Sequence, residues 1–436
     1  MPVEPIIGLP RNAPGEPLLR RLSPVKVAVY GWIFYSVVFL FAPVRVVVGI
    51  SSGAIFYLVS SYVMFFVGCS FYDLFAKVQN VHALPLRRSY RNFFQFVLFV
   101  ALIGIGLRVY DRFFVRGVSL VQDVLERKEA LASVGSNIFS LGAAALYPFC
   151  FVVPFVYFLR ARRGERRPYQ FWLSLFVFCL PGLNAIVVGS RSIILTTVLL
   201  LFLYLLYFGV IRFTARTVII SLGTLLMLLA LSSWVFLDRL EAMGLPADVS
   251  VYKSSYAYTV QPNEWMTESM NSSQSPLLSE AYFTYLNLSQ YVIHGLFEFS
   301  YLYANFHGGH TMGEDTFSVY YKLTAFLFRL PRFEERVTAA ESNSGVFTTF
   351  FGPLYVDFGW FGPIVAFVFG LGAQKLWTST RRGNIDLLPL FFYAVIVIFL
   401  APVANMITGA EGLFVATSFA LYYLSSRIAF PQKALA

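Results

Sequence analysis

The sequence predicts an all-α polytopic membrane protein, and three observations carry that prediction. The chain of 436 residues is 58% hydrophobic, 18% aromatic and 13% charged. A soluble domain is about half apolar and about a quarter charged. Apolar runs of roughly 20 residues, the length that crosses a bilayer as a helix, recur along the chain. Lys and Arg gather in alternate connections between those runs, as they do in the cytoplasmic loops of multi-pass proteins.

Taken in order, the apolar runs place spans near 26–43, 48–69, 93–110, 138–159, 170–188, 192–210, 217–237, 357–378, 387–404 and 410–428. Only the tight turn VVGSRS separates the fifth from the sixth. With the N-terminus inside, the inside segments 1–26, 70–92, 159–169, 211–216, 375–386 and the C-terminal tail hold 20 Lys/Arg against 5 Asp/Glu; the rest of the chain holds 13 against 18. RARRGERR (160–167) and LRRSYR (86–91) are the strongest anchors. Both termini are therefore expected in the cytoplasm. Two polar segments fall outside, 110–136 and 238–345, and the second nets −6. It holds apolar stretches of its own, 281–306 and 316–330, which suit surface helices, re-entrant elements or one more pair of spans. The expectation is 10–12 transmembrane helices. They divide into an N-terminal bundle (1–237), a large outer loop (238–345) and a C-terminal bundle (346–436).

The same pattern excludes several function classes. The net charge of +10 is spent on topology, so no nucleic-acid partner is expected. Cys69, Cys150 and Cys179 lie in apolar runs without ligand spacing, and His82, His294, His307 and His310 form no HExxH pair. No metal and no cofactor is expected. The N-terminal stretch lacks an h-region followed by a cleavage site, so the first span is expected to remain as an anchor.

Polar residues that break apolar runs at the outer face are the functional candidates, because ionisable groups at membrane depth usually face a cavity. The stretch NSGVFTTFFGPLYVDFGWFGPI (343–364) carries Asn343, Thr348, Thr349, Tyr355 and Asp357 among two Gly-Pro pairs. Asp357 is expected near the start of the eighth span, either as an ordinary N-terminal charge or as part of a site. Arg191, at the hairpin tip, either snorkels to lipid phosphate or binds an anionic ligand through its planar fork of donors. In VQDVLERKEALAS, Arg127 and Lys128 are either a solvated face or phosphate contacts. In the long loop, HGGHTMGEDTFSVYYK (307–322) offers His310, Glu314 and Asp315 as possible general bases. RLPRFEERV adds Arg332 and Arg336, with Glu334 and Glu335 as possible partners.

The order of these features resembles a family: GSR in an outer hairpin, a large outer loop with G-x-x-x-x-x-x-T-F (Gly309 to Phe317), then NSGVFTTF (343–350) and YVDFGWFG (355–362). It is similar to the Wzy-type O-antigen polymerases, which join oligosaccharide repeat units. The resemblance spans the topology, with motifs concentrated in 180–210 and 305–365. It implies a GT-C-like architecture in the bacterial inner membrane. The activity it implies is transfer of a growing glycan from undecaprenyl pyrophosphate to another lipid-linked repeat unit at the periplasmic face, without metal or nucleotide sugar. A chain-length co-polymerase of the Wzz type is an implied partner. In these terms His310, Asp315 or Asp357 supplies the base. Arg191, Arg127, Lys128 and Arg336 bind pyrophosphate, and Asn343, Thr348, Thr349 and Tyr355 bind sugar. The lipid A-core O-antigen ligases share the architecture and are the first alternative. A lipid-linked oligosaccharide transporter is the second, although the spans show no internal repeat and little charge at their centres.

Overall fold

A computed structural model describes residues 16–75, 90–118, 137–165, 167–188, 191–212, 255–273, 275–317, 347–408 and 410–428, with isolated positions between 214 and 227 and between 320 and 328. The described chain is helical almost throughout. A short α1 (Glu16–Arg21) leads into α2 (Pro24–Phe41), α3 (Ser52–Phe75) and α4 (Tyr90–Tyr110), which ends in a π turn, Asp111–Val115. Then come α5 (Ile138–Leu146), α6 (Val153–Arg162), α7 (Pro168–Val188), α8 (Arg191–Tyr207), α9 (Glu264–Ser272) and α10 (Pro276–Asn305). The last four are α11 (Phe351–Phe358), α12 (Gly362–Arg381), α13 (Leu388–Leu400) and α14 (Ala410–Ile428).

Among the described residues, five helical stretches are long and apolar enough to cross a membrane: Pro24–Phe41, Ser52–Phe75, Arg91–Val115, Ile138–Arg162 and Phe351–Arg381. This is a multi-pass, all-α architecture. The expected span at 217–237 falls largely outside the described residues. The apolar stretch 281–306 falls almost wholly in one continuous helix, α10, and 316–330 lies largely outside the described residues. The helix starts earlier than its apolar run because Pro276 supplies a first-turn proline. A two-stranded antiparallel pair, β1 (Val44–Val46) with β2 (Val260–Pro262), was not expected. It ties the connection after α2 to the start of the long loop.

One buried core runs through the molecule, from Leu19 to Tyr422, and draws on both expected bundles. Its tightest seam joins α3 to α12. In lipid, helices associate by close packing of small residues, and Ala54, Ser61 and Gly68 face Gly362, Ala366, Gly370 and Ala373 across the interface. A Cβ on Gly68 would stand 2.2 Å from the Phe367 carbonyl oxygen, and one on Gly370 would stand 2.2 Å from that of Phe65. The two helices run in the same direction, with Tyr57 beside Gly362 and Asp73 hydrogen-bonded by Gln374.

The helix ends segregate as the charge pattern requires. At one end, Trp377 Nε1 donates to the Leu19 carbonyl, Arg160 binds Glu165 and Gln170, Arg162 donates to the Tyr207 carbonyl, and Ser426 donates to Asp386. This is the basic end. The β1–β2 pair, the α7–α8 hairpin and the segments after α10 and α13 gather at the other.

Candidate active site at the end opposite the basic clusters

Three irregular segments lie at this opposite end: 310–317, which packs on the end of α11, and 347–350 and 401–408, which meet each other. The Phe350 N–H donates to the Ala401 carbonyl (2.9 Å), and Asn405 Nδ2 donates to the Phe350 carbonyl (3.1 Å). Gly295 of α10 fits against both: a Cβ there would stand 2.2 Å from the Val403 carbonyl oxygen and 3.6 Å from the Thr349 nitrogen. Non-helical backbone at membrane depth persists only where it is buried in protein or lines a cavity.

Asp357 organises the first segment. The sequence places it at the start of a span; the structure places it in the last turn of α11, a short separate helix. The reason is Gly359, whose φ of 52° breaks the chain before α12 begins at Gly362-Pro363. The Asp357 side chain is fully buried. It accepts from the Thr311 hydroxyl, from the Asp315 N–H (3.0 Å) and from the Thr316 N–H (2.7 Å). Its own carbonyl accepts from the Met312 N–H (3.0 Å). Three donors occupy most of the acceptor sites of the carboxylate, and they tie it to the 311–316 turn. Met312 and Gly313, at φ of 55° and 99°, give that turn its reversal.

His310 lies on the exposed side of the turn. Its Nδ1 sits 3.2 Å from the Val356 carbonyl oxygen, which can only accept. The neutral ring therefore carries its proton on Nδ1 and a lone pair on Nε2. The ring stacks on Phe306 (5.3 Å, 17°) and meets Tyr355 edge-on (6.0 Å). Tyr355 in turn contacts Tyr303 (4.8 Å), and Tyr303 contacts Trp360 (6.2 Å). Trp360 is about half exposed (52%), leaving an aromatic shelf beside His310. Asp315 is half-buried. Glu314 is also half-buried, and its Oε2 is shielded from solvent with no hydrogen-bond partner.

Of the expected sugar-binding residues, Thr349 is fully buried and its Oγ1 accepts from the Phe351 N–H (3.3 Å) at the start of α11. Thr348 is half-buried with its side chain over Gly352. Asn343, Arg127, Lys128 and Arg336 lie outside the described residues. Arg191 opens α8, as the hairpin predicts, but its side chain lies outside the description.

Beyond Arg191, the first turns of α8 border a cavity of about 210 Å³. Ser192, Thr196, Tyr291, Tyr393, Asn405 and Thr408 are its polar lining, and Phe347 stands at its wall against Tyr291 (5.8 Å). Asn405 is held by the Ile407 and Thr408 N–H groups (2.8 and 3.1 Å). His294, one turn along α10 from Tyr291, is fully buried, and burial pushes its imidazole down to about 4. It is neutral near pH 7 and is no cation for an anionic ligand. An apolar groove of about 680 Å³ between α2 and α3 reaches the same region through Tyr62, which packs on Phe351 (4.8 Å).

Sequence reasoning missed Asn405, which falls in the short connection between the spans expected at 387–404 and 410–428; its signal is a polar residue opening N-M-I-T-G between two apolar runs. No family model, curated protein or solved structure matches the chain.

Proposed function

We propose that the protein is a polyprenyl-pyrophosphate-dependent glycosyltransferase that polymerises lipid-linked oligosaccharide repeat units at the periplasmic face of a bacterial inner membrane. On this proposal the basic end and both termini face the cytoplasm. The 238–345 segment is the large periplasmic loop, and the full chain crosses 10–12 times in a GT-C-like arrangement.

The observation that carries the proposal is His310 on an aromatic shelf at the end opposite the basic clusters. A glycosyl acceptor needs a base near its hydroxyl and flat apolar faces for its ring. Nε2 of His310 presents the lone pair, and Tyr355, Phe306 and Trp360 present the faces. A leaving pyrophosphate needs donors and positive charge where its own charge develops. The N-terminus of α8 supplies backbone N–H groups, and Arg191 is the cation beside them. The acceptor oxygen bonds the donor's anomeric carbon and gives its proton to His310. The anomeric C–O bond breaks, and its electron pair leaves on the polyprenyl pyrophosphate. The apolar groove between α2 and α3 suits part of an isoprenoid chain.

Deletion of the gene in its host, with lipopolysaccharide resolved on a gel, tests this. A core-plus-one-repeat band that wild type converts to a ladder is the expected result. Bare core, with polymer still built on carrier lipid, would establish a ligase instead. An unchanged ladder would exclude both and return a lipid-linked oligosaccharide transporter.

A further inference from the structure

A hydroxyl has one proton, and where that proton goes decides what the oxygen offers a ligand. Around the cavity of about 210 Å³ at the first turns of α8, three hydroxyls spend theirs on backbone carbonyls. Thr196 donates to Ser192 one turn back in α8 (2.9 Å), Tyr393 to Met406 (2.6 Å) and Thr408 to Asn405 (3.2 Å). Each of these oxygens has only lone pairs left for whatever enters. None of the described lining residues is charged.

The face of α10 that brings Tyr291 to the cavity has the same bias. Asn287 and His294, four residues before Tyr291 and three after it, share that face by helical spacing. Both are buried, at 4% and 0% exposure. His294 Nδ1 lies 2.7 Å from the Gln290 carbonyl oxygen, so in the neutral ring Nδ1 holds the proton and Nε2 is an acceptor. Neither His294 Nε2 nor Asn287 Oδ1 has a hydrogen-bond partner among the described residues. A buried acceptor without a donor is rare and calls for one.

Lone pairs that face inward disfavour an anion. A divalent metal takes carboxylate oxygens, and none of the described lining residues supplies one. A single small ion would also leave the cavity mostly empty, since at about 30 Å³ per water it has room for about seven waters. It is smaller than the roughly 300 Å³ at which pockets for drug-sized ligands begin. One saturated ring bearing several hydroxyls suits both its size and its chemistry. Such a ring brings its own protons, and its C–H faces can lie on Tyr291 and Phe347, whose rings meet edge to face (5.8 Å, 82°). Phe347 is 39% exposed, which puts this wall of the cavity at the protein surface.

We propose that the cavity is a monosaccharide subsite, which seats one uncharged sugar ring by accepting hydrogen bonds from its hydroxyls. That the ring belongs to a lipid-linked glycan rests on the polymerase proposal; the preference for an uncharged, hydroxyl-rich ring does not.

The test is photo-cross-linking to the full-length protein in phosphatidylcholine nanodiscs, mapped by mass spectrometry. The probes are diazirine-bearing methyl glycosides of each monosaccharide in the host's surface polysaccharide. At least one is expected to label 192–196 or 404–412, and the parent sugar to compete with it. Thr196→Val removes one acceptor and keeps the shape, and it should raise the competing concentration about fivefold. Thr197→Val, on the side of α8 packed against Gly182, should behave as wild type does. Thermal midpoints of both variants separate misfolding from lost binding. Competition by potassium chloride or inorganic phosphate as strong as that by sugar would overturn the subsite and mark an ion site. So would the absence of any competed label in these segments, or equal competition in wild type and folded Thr196→Val. Labelling as expected, with polysaccharide unchanged by gene deletion, keeps the subsite and removes the polymerase proposal. No competed label, with a deletion that leaves one repeat unit on the core, does the reverse.

Discussion

The α3–α12 seam and the 310–317 turn sit along the same helices and are built on opposite principles. In the seam, Gly68 and Gly370 let backbone meet backbone, and the contact is apolar van der Waals packing. Beyond the start of α12, the chain gives up regular helix, buries Asp357 and takes Met312, Gly313 and Gly359 to positive φ. A bundle held only by close packing has no need of such a turn. The difference teaches that rigidity is supplied by small residues in the apolar layer, and that polar structure is concentrated where chemistry is expected.

The most damaging way to break this contrast is to overfill the seam. Gly370→Leu should cost about 3 kcal/mol or more, because the added atoms meet the Phe65 carbonyl rather than a flexible side chain. Loss of folded protein, read by fluorescence-detected size exclusion, is the expected outcome. A wild-type elution profile would show that the helices separate more readily than their contact implies.

Next is the turn. Asp357→Asn keeps the shape and removes the charge from three donors, at a cost of about 2 kcal/mol. Limited proteolysis should show faster cleavage near 310–317 while the bundle stays intact. Unchanged cleavage would mean that the carboxylate does not hold the turn.

His310→Gln sharpens the contrast from the other side. It keeps a polar group on the shelf and removes the base. Polymer formation should fall by about 10²–10⁴-fold, with the thermal midpoint unchanged. A parallel loss of stability and activity would reassign His310 to packing.

The smallest effect concerns His294. Its folded pKa lies below the unfolded value, so the unfolded chain binds more protons between about 6.5 and about 4. Its contribution to stability is present above about pH 6.5 and is lost progressively as the pH falls toward 4. A thermal midpoint that drops across this window in wild type, and drops less in His294→Gln, is the expected result. Identical pH profiles would show that the imidazole is not buried in solution.

Much of the fold was legible because hydropathy and charge report directly on a bilayer. The α7–α8 hairpin, the start of α12 at Gly362-Pro363 and α14 fall where the sequence puts them. What escaped depends on contacts between segments far apart in the chain. The β1–β2 pair joins residues more than 200 positions apart. Asp357 reads locally as a helix-start charge because its donors, Thr311 to Thr316, lie on another segment. The interruption at Tyr147–Phe151 is invisible to hydropathy because a 3-10 turn is as apolar as the helix it interrupts.

The central claim is that the end bearing His310 carries out glycosyl transfer between two lipid-linked substrates. The most direct measurement is reconstitution: purified protein and purified polyprenyl-pyrophosphate-linked repeat units in vesicles, with no nucleotide sugar. Wild type should extend the glycan and release polyprenyl pyrophosphate in proportion to bonds formed, while folded His310→Gln should not. Extension that persists with His310→Gln, or no extension by folded wild-type protein supplied with its own host's repeat unit, would contradict the claim.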